Sequence, residues 1–110
     1  MKDNEIINES AVEESGAGKY KFVKPAKIDG EVKEVIAYDF TALNGSNIRN
    51  AKAELQRRGY TVAVKELDEV FHAAMFAEAA GISVADVERF SPRDYIAVAD
   101  LARDFLYDEE

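Results

Sequence analysis

Apolar residues follow two different spacings along this chain of 110 residues, and the change from one to the other falls near Phe40. From Tyr20 to Phe40, Tyr, Phe, Val and Ile gather around Asp29-Gly30, a pair that suits the positive backbone dihedrals of a type I′ hairpin turn. The pattern predicts strands over about 20–27 and 32–39. With a two-residue turn, Tyr20 and Phe22 share a face with Val35 and Ala37, while Val23, Val32, Ile36 and Tyr38 take the other. The alternation is imperfect, which leaves the register, and a longer loop, open. Pro25 has no amide hydrogen, so the first strand is expected at a sheet edge or bulged at that point. A lone hairpin is marginal in water and is expected to lie against helices or another subunit.

Beyond Phe40 the apolar spacing is helical. Asn44-Gly45-Ser46 supplies candidate caps for a helix over about 47–58, with Ile48, Ala51 and Leu55 on one side and Gly59 as its stop. A second helix, about 65–80, sets Leu67, Val70, Phe71, Ala74, Met75 and Ala79 at helical spacing. Ser83 can cap a short helix carrying Val84, Val87 and Phe90. Ser91-Pro92 then restarts the chain as a cap followed by proline at the first helical position, where no amide donor is missed. The last helix is expected to reach about Tyr107 with Tyr95, Val98, Ala102 and Phe105 inward, widened by Ile96, Ala99 and Leu106. The expected fold class is α+β, an N-terminal β-hairpin followed by three to four α-helices.

Length and charge narrow the function. A chain of this size fits one domain with one modest core. Residues 1–18 hold one lysine and five acids, few large apolar groups and a Ser15-Gly16-Ala17-Gly18 end, a composition that buries too little to offset its ordering entropy. They read as a disordered acidic arm, with residues 19–110 as the domain. The net charge is −8; the arm carries −4, and thirteen bases against seventeen acids give the remainder −4. Nucleic acid and anionic membranes are therefore disfavoured partners. The longest apolar stretch, Val70 to Ala77, has eight residues, far short of the roughly 20 that cross a bilayer. No basic region followed by an apolar run precedes it, so a cytoplasmic protein is expected. With no cysteine, there is no disulfide framework and no thiolate chemistry.

Candidate chemistry is sparse. His72, the only histidine, forms a Glu-x-x-His pair with Glu69, but such metal sites need a second pair and further carboxylates; a solvent-facing or boundary histidine is expected. Asp94, Asp100, Asp104 and Asp108 read as solvated helix acids, and Ser46, Ser83 and Ser91 as caps. Gly16-Ala17-Gly18-Lys19 lacks the strand, glycine spacing and Ser or Thr of a phosphate loop. No cofactor and no enzymatic activity are expected. One feature is more informative: Arg49, Lys52, Arg57 and Arg58 concentrate basic charge on one helix of an acidic chain. It reads as a solvated face, or as a surface that meets the acidic last helix of a second copy through Asp100 and Asp104, so a homo-oligomer is expected. Phe71 and Met75 read as core. Phe76 lies off the main stripe and is the expected protein contact, so that its replacement by Asp would leave folding largely intact but weaken partner or self-association.

Several motifs fall into one order: Lys24-Pro25, Ile28-Asp29-Gly30, a second strand ending near Phe40, and the helix entry Leu43-Asn44-Gly45-Ser46-Asn47-Ile48. A helix rich in Ala and Phe, Gly81-Ile82-Ser83 with Asp86, Ser91-Pro92-Arg93-Asp94-Tyr95 and Phe105-Leu106 follow. This order resembles the E-type tail assembly chaperones of contractile- and long-tailed bacteriophages and of prophages, over about residues 20–107. Ala26 stands where the family often has a larger aliphatic residue. The resemblance implies a non-enzymatic assembly factor of the bacterial host cytoplasm that self-associates, coats the long helical tape measure protein and helps bring tail tube protein to it. Two other readings are an acidic phage-encoded inhibitor that imitates DNA and a generic protein-interaction adaptor.

Overall fold

In a computed structural model that describes residues 16–107, the turn at Asp29-Gly30 has φ of 53° and 85°, the left-handed pair that a type I′ hairpin requires. It joins β1 (Ala17–Ile28) to β2 (Glu31–Asp39) in a two-stranded antiparallel sheet. The first strand starts at Ala17, two residues ahead of the expected domain boundary at Lys19; residues 1–15 of the acidic arm lie outside the described residues.

The hairpin is not regular. Ala26 faces Lys33 and Ile28 faces Glu31, as a two-residue turn dictates, but Tyr20 faces Ile36 and Lys21 faces Val35. Four residues of β1, Phe22 to Pro25, thus oppose the single residue Glu34. A surplus of three is odd, and an odd slip turns a strand over. Tyr20 is therefore placed with Ile36 and Tyr38, not with Val35 and Ala37 as a regular ladder implies. Phe22, Ile36 and Tyr38 are buried, whereas Val23, Val32 and Val35 are exposed. Pro25 sits in the bulge, where a missing amide hydrogen costs no ladder bond.

Four helices follow: α1 (Gly45–Arg57), α2 (Glu69–Ala80), α3 (Val84–Glu88) and α4 (Pro92–Tyr107). Asn44 and Asn47 cap α1 reciprocally through Ser46 N and Asn44 N. The second helix starts four residues later than its apolar spacing suggests. Lys65–Leu67 form a 3-10 turn, and Asp68 ends it by accepting the Phe71 amide at 2.9 Å. This cap turns the chain so that Leu67, expected in the core, is 76% exposed.

From Phe71 to Ala77 every residue of α2 is buried. A helix apolar all round is a central one, and α2 packs against α4, α1, α3 and β2. That placement corrects two expectations. Phe76 is not a surface contact: it is fully buried, with ring centroids 5.6 Å from Tyr38 and 6.2 Å from Phe40. His72 is likewise inside, 2% exposed, edge-on to Tyr107. On α4, Val98, Ala99 and Ala102 face inward as expected, but Ile96 and Phe105 are 48% and 42% exposed. Phe105 stacks on Phe40 at 5.3 Å.

Candidate functional site

The densest polar constellation joins the bulge of β1 to the start of α4. Ser91 caps α4, its hydroxyl accepting the Asp94 amide at 3.3 Å and donating back to the carboxylate at 2.8 Å. This arrangement turns the Asp94 side chain toward the hairpin. There it accepts from the Tyr20 hydroxyl at 2.6 Å, Val23 N at 2.8 Å and Lys24 N at 3.1 Å. The two amides are those that the bulge removes from the ladder. A backbone donor left unpaired inside a protein is costly, and Asp94 takes both.

Asp94 is 0% exposed, which corrects its reading as a solvated helix acid. Burial alone would raise its pKa, but the hydrogen bonds from Tyr20, Val23 N, Ser91 and Lys24 N outweigh that effect and hold it below the ordinary carboxylate value. Burial and the Asp94 charge raise the Tyr20 phenol in turn. Every carboxylate oxygen is engaged with the fold's own donors, so this cluster is an anchor for the hairpin. The spacing Ser91-x-x-Asp94 was the available signal, since an acid three residues after a serine cap stands where a capping box places its Glu or Gln, although here it takes the Ser91 hydroxyl in place of the Ser91 amide.

The expected site residues are distributed as follows. Arg57 and Arg58 are committed at the end of α1: both pair with Glu54, and Arg58 reaches Glu88 of α3 at 2.5 Å. Arg49 and Lys52 are exposed, and neither has an ion pair among the described residues. Asp100 and Asp104 are exposed on α4; α1 and α4 each pack on α2. The basic surface thus reduces to Arg49 and Lys52 beside Ile48, which is 36% exposed.

His72 and Glu69 do not assemble into a pair, since Glu69 is exposed while His72 is buried. Among the described residues no group of three or more His, Asp or Glu side chains is placed to hold a metal. A groove of about 780 Å³ lies between the hairpin tip and the α2–α3 joint, where Asp86 is paired with Arg89 at 2.8 Å. No described helix is long and apolar enough to cross a membrane.

No family model matches this chain, and no curated protein or solved structure does either.

Large apolar side chains also remain open at the surface. Val23 (65%), Val32 (70%), Val64 (50%) and Leu67 (76%) are exposed although the interior is filled by Phe71, Met75, Phe76, Leu55 and Val98. These side chains are not needed to complete the core. They are the groups with contact area left to bury.

Proposed function

We propose that the chain is a non-enzymatic bacteriophage or prophage tail assembly chaperone. In the host cytoplasm it self-associates, binds the tape measure protein and helps bring tail tube protein to it. The observation that carries this reading is the set of large apolar side chains exposed on the hairpin, the α1–α2 connection and α4, on a domain whose core is already closed. Holding an aggregation-prone amphipathic helix requires such groups interspersed with charge, so that the helix is covered while the carrier stays dispersed. Exposed Arg49 and Lys52 supply charge steering beside Ile48. The resemblance of the ordered motifs to the E-type chaperones points the same way.

Co-expression with a phage tape measure protein tests it. The expected result is that the tape measure protein stays in the supernatant and co-purifies with this chain over a range of salt concentrations. A tape measure protein that pellets regardless, and never co-purifies, overturns the reading.

A further inference from the structure

We propose that the outer edge of β2 pairs antiparallel with the same edge of a second copy, about a two-fold axis at Ile36. This pairing rests on the reading of the chain as self-associating and gives it a surface. Of the hairpin's two edges, that of β1 is interrupted midway by the bulge. Val23 and Lys24 donate their amides to Asp94, and Pro25 has none to offer. Among the described residues the edge of β2 has no such interruption. Phe40 N donates to Gly16 O at 2.8 Å in line with the ladder. Counting back in twos, Tyr38 and Ile36 also turn their backbone groups toward β1, so Val35 and Ala37 turn theirs away. Among the described residues no hydrogen bond from outside the β1–β2 ladder reaches either of these amides. Lys33, Val35 and Ala37 are all exposed. An unpaired strand edge of this kind is a template for another strand.

Charge favours both the occupant and the register. An axis at Lys33 or at Glu34 sets like charges directly opposite each other, and an axis at Val35 sets Glu31 opposite Asp39. An axis at Ile36 has no like-charge apposition. It puts Lys33 of each copy opposite Asp39 of the other, twice, and Val35 opposite Ala37 on the outer face. Its parity also suits the hydrogen bonding, because the outward groups of Val35 meet those of Ala37. Opposite charges across a strand pair stabilise it and like charges oppose it. The product is a four-stranded sheet in the order β1-β2-β2-β1. It has a closed isologous interface and more than the three strands that a sheet needs for independent stability.

Sedimentation of the full chain tests the pairing. The wild type is expected at twice the 12.2 kDa of one chain. Val35→Pro removes an outward amide without touching the β1–β2 ladder, so this variant is expected to keep the wild-type circular dichroism and to sediment as a monomer. A second measurement holds even if the proline disturbs folding. The chain has no cysteine, so oxidation of a Val35→Cys, Ala37→Cys double variant is expected to give a covalent dimer, and a Val32→Cys, Ala37→Cys variant is not. A wild-type monomer overturns the pairing together with the self-association on which it rests. A dimer that survives Val35→Pro and does not cross-link through positions 35 and 37 overturns the edge pairing alone, leaving self-association through another surface.

Discussion

Asp94 is the residue on which the most contacts converge. One carboxylate accepts from a phenol, a hydroxyl and two backbone amides, and it ties together residues more than seventy positions apart. Asp94→Ala removes these acceptors and strands the bulge amides, so roughly 3 kcal/mol or more of unfolding free energy in urea should be lost. Tyr20→Phe removes a single donor and should cost roughly 1.5 kcal/mol. Equal losses in the two variants would show that the amides do not depend on Asp94. Acid acts on the same group. A carboxylate held below its ordinary value stabilises the fold fully above that value, 3.8 here, and the contribution is lost as pH falls through the lower folded value. His72 supplies an earlier step. Burial lowers its pKa, with the Lys65 backbone, Asp68 and Asp100 opposing and Arg103 reinforcing the shift. Its Nε2 has no hydrogen-bond partner among the described residues. The unfolded chain therefore takes up a proton below about pH 6.5 while the folded chain resists it. Stability should fall as pH drops from there toward the folded value, and His72→Leu should remove this step while leaving the Asp94 step in place. Neither role was legible from residue type. A lone histidine and an aspartate on a charged helix usually face water, and only the capping-box spacing of Ser91 and Asp94 pointed otherwise.

At the scale of elements, the hairpin, its Asp29-Gly30 turn and the helices were legible because turn chemistry and apolar spacing agree there. Two features were not. The bulge is set by a tertiary partner, Asp94, and its surplus of three residues reverses the face on which Tyr20 lies. A local reading of alternation therefore assigns the wrong face upstream of Phe22. Amide exchange reports this directly. Val23 and Lys24, though outside the ladder, should exchange as slowly as Tyr20 or Ile36, and that protection should vanish in Asp94→Ala. The second feature is α2. Apolar side chains encircle it, so a single stripe underestimates its interior, and Phe76 falls outside the stripe while lying inside the protein. Phe76→Ala should therefore cost about 3–5 kcal/mol, and Phe76→Asp, which puts a charge into that space, should leave no cooperative unfolding transition. A well-folded Phe76→Asp protein would contradict the central position of α2. Gly16 binds the start of the sheet to the end of α4. Its φ is +87°, and an added Cβ would lie 2.8 Å from the Phe105 ring, so Gly16→Ala should cost about 1–2 kcal/mol.

For the whole molecule, the net charge of −8 describes the chain less well than the distribution of its signs. Arg57 and Arg58 serve the fold through Glu54 and Glu88, which leaves Arg49 and Lys52 as the cations on α1 without an ion pair among the described residues. Reversing both to Glu should change urea stability by no more than about 0.5 kcal/mol. The same change should weaken capture of a tape measure segment most at low salt, where charge steering is strongest. The exposed apolar side chains on the hairpin, Leu67 and Ile96 have no comparable duty within the fold, and the chaperone reading gives them one. Its most direct test is light scattering after a tape measure segment is diluted from denaturant. With stoichiometric amounts of this chain present, scattering should stay near the level of buffer alone. Aggregation at the same rate and to the same extent with and without the chain would contradict the account.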